Sequence, residues 1–407
     1  MPFEIRVDPF GNVREWGNVT HSAFGETVDE AETADNERLF EADRRLGAFD
    51  GDTCVGTAGG LSFSLTIPGG QVAACGVTAV GVIPTYRRRG VLRELMRYQL
   101  DDVVARGEPV AALFASEGAI YGRFGYGMAT LHSSFTLERT RGAFRERLDP
   151  AGRVRAVGLD EARRLFPPVY ETLQARWPGF YNRNEIWWEA EVLSDRERRR
   201  HGASPAYRVV YESDGQVEGH SIYRIKPEWD DRGPKGELRV LELMATTPRA
   251  ERELWRHVLD VDLMAQIHAW GQPADHPLFH LLAEPRRMGL TISDGLWIRL
   301  LDLPGALGPR SFGTEDDLTF DLGDDFVPSN AGRWRLQASR EGARVERTEQ
   351  EPDLALDVQT LGALYLGGWQ AGSLAAAGRL EERTPGAVER LDALFRTHRA
   401  PWCPQVF

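Results

Sequence analysis

Cysteine is scarce: Cys54, Cys75 and Cys403 are the only three in 407 residues, and none has CxxC spacing. That excludes a disulfide framework and a thiolate zinc site, and it fits reduced thiols in a cytoplasmic protein. Positive charge is in deficit, with 49 basic residues against 61 acidic for a net charge of −12. A general nucleic-acid binder needs a basic surface, so that class is excluded, whereas a cationic partner suits the balance. The nine histidines show neither HExxH nor another metal-ligand spacing, and no metal is expected. The opening "MPFEIRVDPFGNVREWG" lacks the basic-then-apolar pattern of a signal peptide. Residues 54–86 carry no charge, yet Leu61, Phe63, Leu65 and Ile67 alternate with Ser62, Ser64 and Thr66 before "PGG" at 68–70. Period two broken by a turn predicts paired strands, so no membrane segment is expected.

What is present is enough for two or three domains. The first third predicts an α/β unit. A helical region over 15–45 precedes a "DGD" turn, a hairpin over 55–67 and 71–83, and a helix from Gly90. A buried strand (109–116), a short helix (117–127) and a strand (130–138) follow. A similar order returns later, as a hairpin over 206–225, a strand over 236–248 and a helix over 249–267. Gly51 and Pro84 are separated by the same 33 positions as Gly215 and Pro248, which points to a diverged duplication. The last hundred residues predict an α+β domain, with a sheet over 317–325 and 332–348 and helices over 361–368 and 386–398.

One stretch carries chemistry. "VTAVGVIPTYRRRGVLRELM" (77–96) runs from a strand through three arginines and a glycine into an amphipathic helix. A helix start leaves backbone N–H groups unpaired, glycine lets a ligand approach them, and arginine adds charge-assisted bonds to phosphate. The corner suits a pyrophosphate, although neither GxxxxGK[ST] nor GxGxxG is present. The second copy has "RAEREL" in the same place, without glycine, so only the first is expected to bind an anion. A solvated charge run is the competing reading.

Arg87-x-x-Gly90-x-Leu92 resembles the acetyl-CoA signature [R/Q]-x-x-G-x-[G/A] of the GCN5-related N-acetyltransferases, with Leu in place of the small last residue. "SEGAIYGRFGYG" (116–127), "DGLWIRLLDLPGAL" (294–307), "LYLGG" and the chain end are similar to the Eis (enhanced intracellular survival) family over nearly the whole chain. The resemblance implies tandem acetyltransferase folds and then a sterol-carrier-like α+β domain, here divided as 1–148, 149–295 and 296–407. It implies an acetyl-CoA-dependent N-acetyltransferase of primary amines such as aminoglycosides, polyamines or lysine side chains, assembled as a homohexamer.

The resemblance also assigns roles. Val80 and Val82 hold the thioester arm, Arg87, Arg88 and Gly90 the pyrophosphate, and Ser116 lies near the pantetheine. Tyr121 is the general acid, with Tyr126 second. The α-carboxylate of Phe407 is the base, and "RAPWCPQVF" is too apolar for a frayed tail. Phe24 and Glu26, with His21, lie where the acceptor pocket begins; position 406, acidic in some members, is Val here. A phenol keeps its proton at neutral pH and can protonate a thiolate, whereas a free α-carboxyl is a weak base unless burial raises it or a water relays the proton. Each has a plainer reading, Tyr121 as a packed aromatic and Phe407 as a groove plug. Cys75, the rival nucleophile, lies in a predicted strand. "WW" at 187–188 predicts core, and "SDRERRRHG" (194–202) a solvated helix end. The competing function is a non-catalytic acyl-CoA or lipid carrier using the third domain; another acyl group is a third option.

Overall fold

The computed structural model describes residues 3–146 and 152–407. The chain forms two compact units. One holds the residues up to Thr130 with Asp294–Pro401 and Val406–Phe407, and the other holds Leu131–Ser293 with Trp402–Gln405.

The first unit contains a seven-stranded sheet in the order Glu4–Val7, Arg45–Asp50, Thr53–Ile67, Gly70–Val82, Val110–Phe114, Leu296–Leu300, Gly127–Met128. The apolar alternation of the long hairpin buries Leu61, Leu65 and Ile67, and its second strand, paired on both sides, is buried continuously from Ala74 to Val77. The Val91–Ala105 helix buries Val91, Leu95, Met96, Leu100 and Val103, a stripe at helical spacing. The predicted helical region is two helices, Val13–Phe24 and Glu30–Leu39, capped by Asn12 and Asp29.

The second unit repeats this order as Arg153–Ala156, Tyr207–Ser213, Gln216–Lys226, Gly236–Ala245, Met264–Pro273, Leu131–Glu138, Thr291–Asp294. The duplication is therefore structural. Gly51 and Gly215 occupy matching hairpin turns, with φ of +62° and +76°. The helix predicted over 249–267 ends at Asp260, and Met264–Pro273 is a strand. It is the parallel partner of Gly236–Ala245, with Ile267 and Ala269 buried. Trp187 and Trp188 are core residues.

The boundaries at 148 and 295 differ from the observed pairing. Each sheet takes its sixth strand from the far stretch of chain. Leu296–Leu300 pairs antiparallel with Val110–Phe114, and Leu131–Glu138 pairs antiparallel with Met264–Pro273. A strand's own alternation says that it is half buried, not which sheet it joins.

The sterol-carrier-like region has a five-stranded sheet in the order Gly342–Arg347, Gly332–Ser339, Asp316–Gly323, Leu354–Asp357, Leu380–Glu382. Helices Val358–Leu364, Ala371–Ala376 and Ala387–Phe395 accompany it. Leu318, Phe320, Leu336, Leu364, Tyr365 and Leu394 are buried there. Fully buried Arg310 donates to the carbonyls of Tyr365, Ser311 and Phe395. No helix among the described residues is long and apolar enough to cross a membrane.

Candidate active site

The site starts from a break in a sheet. Gly70–Val82 pairs in parallel with Val110–Phe114 only from Ala74–Val110 to Gly76–Ala112. Beyond that point the two strands part. Ala79 takes φ of +50°, and the register against Thr53–Ile67 shifts between Thr57 and Gly59. The Thr57 hydroxyl, 2.8 Å from that of Thr20, bonds the Ala79 carbonyl at 3.0 Å and fixes the bulge. The backbone around Val80 and Val82 is thus left without a ladder partner toward Val110–Phe114.

A cavity of about 430 Å³ opens here. Its lining brings together Phe24, Val80, Val82, Arg87, Arg88, Gly90, Ser116 and Tyr121, while Phe407, expected as the base, is not among the lining residues. Glu26 is exposed beyond the end of the Val13–Phe24 helix and is not part of the lining. His21 spends Nδ1 on the Gly17 carbonyl at 2.7 Å.

The three arginines do different things. Arg87 reaches back to the carbonyls of Val82 (3.2 Å) and Ala23 (2.6 Å), tying the corner to the helix that carries Phe24. Arg89 lies over the Tyr86 ring at 4.4 Å and 3.8 Å from Asp50. Arg88, with φ of +60°, faces the cavity beside Gly90. Gly90 caps the helix at φ of +94°, a conformation that resists any side chain, and no side chain caps the first turn. The amides of Arg93 and Glu94 bond the Gly90 carbonyl, and the earlier amides are those a helix leaves for a ligand. In the second unit the equivalent turn is closed. Pro248 opens the helix and the Thr247 hydroxyl takes the Ala250 amide at 3.1 Å. Of these two helix starts, only the one in the first copy is glycine-capped and preceded by arginines.

Sequence reasoning missed Arg93, Arg123, Tyr86 and Glu117, which also line the cavity. Arg93 was legible in principle, since it lies in the first turn of the same helix. With Arg87, Arg88, Arg93 and Arg123 against Glu117, the wall is electropositive although the chain is acidic. A polyanion such as the diphosphate end of a coenzyme fits these donors.

Tyr121 stands in the short helix Gly118–Tyr121, 6 % exposed. Burial pushes its phenol up to about 12, with the Ser116 side chain pulling the other way. Tyr126 is fully buried outside the lining, and burial raises its phenol well above the usual range. Cys75 is buried, and its thiol is pushed up to about 12 by burial, with Arg44 opposing. Such a thiol is a poor nucleophile.

The ring of Phe407 packs edge-on against Phe63 at 5.0 Å and Phe114 at 5.5 Å. A Cβ on Gly76 would meet that ring at 3.1 Å, so the last residue sits where the two strands part. Just upstream, Trp402–Gln405 belongs to the second unit. There Trp402 packs on Trp177 (4.9 Å) and Phe180 (5.4 Å), and its indole N–H reaches the Gly271 carbonyl at 2.8 Å. Among the described residues no cluster of His, Cys, Asp and Glu has metal-ligand geometry.

Comparison with known proteins matches this geometry. Models of the acetyltransferase (GNAT) domain match residues 9–129 and 179–300, and a sterol carrier protein domain matches 303–404. An uncharacterized N-acetyltransferase of Streptomyces avermitilis is 42% identical over 411 residues, covering all of both chains. The N-acetyltransferase Eis of Mycobacterium tuberculosis is 35% identical over 357 residues, 86% of this chain and 85% of that one. Eis1 from Mycobacterium abscessus superposes with a TM-score of 0.83 at 33% identity, covering 99% of this chain and all of the other. A GCN5-related N-acetyltransferase from Anabaena variabilis shares the fold, with a TM-score of 0.85 at 19% identity over all of both chains. Acetyltransferases of this kind use acetyl-CoA. The splayed strands, the glycine-capped helix and the three matched domains together make this chain a member of the Eis family of GCN5-related N-acetyltransferases.

Proposed function

We propose that the chain transfers acetyl from acetyl-CoA directly to a primary amine, within a ternary complex. The observation that carries this reading is that one cavity holds both an anion-binding corner, Arg88 with Gly90, and a protonated phenol, Tyr121. The coenzyme supplies the thioester. Arg88 and the first-turn amides of Val91–Ala105 hold its diphosphate, and Arg87 keeps the corner in place. The backbone of Val80 and Val82 on the side facing away from Thr53–Ile67, which has no ladder partner toward Val110–Phe114, takes the arm, and an amide there would serve the charge that develops on the thioester oxygen.

The balance of the step is simple. An N–C bond forms and the C–S bond breaks. The ammonium proton leaves first, because an alkyl ammonium titrates near ~10. The α-carboxylate of Phe407 receives it, directly or through a water. After attack the nitrogen sheds its second proton to solvent, and Tyr121, which delivers a proton to the departing sulfur, is reprotonated from the same solvent. Buried Cys75 argues against an acyl-enzyme, which is why direct transfer is preferred.

Phe24, 52 % exposed at the cavity edge, is the contact we assign to the acceptor. Glu26 is kept as a longer-range attraction for an ammonium. The acceptors proposed are aminoglycoside- and polyamine-like amines, with lysine side chains as a further class. A homohexamer in the cytoplasm is the state the family resemblance implies. The carrier reading is disfavoured by the packed region between the sheet and helices of the third domain, where Arg310 and its aromatic neighbours Phe312 and Phe395 take up space.

Thiol release from acetyl-CoA with a panel of amines tests the proposal. Amine-dependent thiol release supports it. Tight coenzyme binding without release for any amine supports the carrier instead.

A further inference from the structure

The segment "YGRFGYG" (121–127) is rich in glycine, and backbone conformation explains only part of that richness. Gly122 has an ordinary helical φ of −55°. What it lacks is room. A Cβ there would lie 2.7 Å from Nε2 of Gln359. At Gly127 a Cβ would lie 1.9 Å from the Gln359 carbonyl oxygen and 2.4 Å from the Ala363 nitrogen. The approach is reciprocal, because a Cβ on Gly362 would meet the Ile298 carbonyl at 2.4 Å and the Gly127 nitrogen at 3.2 Å. The helix Val358–Leu364, from the sterol-carrier-like region, is therefore seated backbone to backbone on the segment that carries Tyr121. The Trp369 indole N–H extends the contact to the Met128 carbonyl at 2.6 Å.

Gln359 is itself held. Arg379 donates to its Oε1 at 2.6 Å and pairs with Asp357 at 2.8 Å, which turns the amide nitrogen toward Gly122. Gly122 directly follows Tyr121 in one compact turn, closed by the Gly125 amide bonding the Gly122 carbonyl at 2.9 Å. Close-packed interiors transmit small displacements rather than absorb them.

We propose that this third-region helix braces Tyr121, and that Gln359 is a positioning residue for the proton donor. The inference rests on the reading of Tyr121 as the acid. It gives the sterol-carrier-like region a role in catalysis that needs no lipid.

The test compares Gln359→Ala and Gly122→Ala in the full chain, each alone and with Tyr121→Phe. Acetyl-CoA binding is measured by calorimetry, kcat by thiol release, and folding by the melting temperature. Each single change is expected to lower kcat about tenfold or more, in line with the cost of small misplacements, with coenzyme affinity retained. In the Tyr121→Phe background neither change should lower kcat further, because the group being positioned is already gone. An unchanged kcat in Gln359→Ala, with Tyr121→Phe impaired, overturns the brace alone. Equal losses in both backgrounds also overturn it. Full kcat in Tyr121→Phe overturns the acid assignment and the brace together.

Discussion

The ring of Phe407, the last residue, lies edge-on to that of Phe114, with centroids 5.5 Å apart, at the end of the strand that parts from Gly70–Val82. Removing Phe407, or adding one residue after it, is expected to reduce thiol release at least a hundredfold, about the contribution of a general base. Coenzyme binding should stay near that of the parent, as should the melting temperature of the extended chain, whereas the deletion also loses the ring contacts with Phe63 and Phe114 and should melt somewhat lower. Undiminished turnover in a chain extended at the C-terminus would remove the carboxylate from the mechanism.

The arginines of the corner should separate by assay. Arg88→Ala removes a charge-assisted bond, so the coenzyme Kd should rise about tenfold or more, with kcat kept at saturation. Arg87→Ala instead frees the carbonyls of Ala23 and Val82, and should lower the melting temperature as well. Gly90→Ala combines a backbone strain of about 1–2 kcal/mol with loss of coenzyme affinity. Calorimetry beside thermal melting distinguishes the three.

The pH dependence has a definite sign. A phenol raised to about 12 stays protonated, and able to donate, throughout the range in which the amine deprotonates. Activity should therefore climb from pH 6 to 9 as the free amine accumulates, without a falling limb from Tyr121 below about pH 11. Stability runs the other way at the alkaline end. The folded phenol titrates above its unfolded value near ~10, so its contribution is fully present below that pH and is lost as pH rises toward 12. A decline in kcat centred near pH 8, at constant fold, would contradict Tyr121 as donor.

Arg299 and Asp324 form a buried pair, doubly bonded at 2.8 and 2.7 Å, in which Asp324 also accepts from the amides of Phe326 and Val327. Asp324→Ala would leave a buried guanidinium uncompensated and is expected to cost about 3–5 kcal/mol, read in denaturant unfolding. Replacement of both partners by apolar residues should recover part of that loss.

The hairpin, the helix from Gly90 and the arginine–glycine corner are legible because each is encoded locally, by period, by a turn or by one glycine at a helix start. The strand Met264–Pro273 is not. "VDLMAQI" continues the apolar spacing of the preceding helix, and the break comes at Leu263, with φ of +65°. The exchange of Leu131–Glu138 and Leu296–Leu300 between sheets was equally hidden, since pairing partners leave no mark on a strand's own alternation. In the site, residue types identified the corner, but only geometry showed that Arg87 serves the backbone while Arg88 faces the cavity. Glu26 was selected by its place in the chain, and its side chain lies outside the lining. Nothing local in 122–127 names the partner that its glycines admit, since Gln359 lies more than two hundred residues away.

The most direct test is a crystal structure of the chain with coenzyme A. The diphosphate should lie on Arg88 and the first-turn amides after Gly90, with the sulfur beside the Tyr121 hydroxyl. A coenzyme bound elsewhere, with that corner unoccupied, would contradict the account.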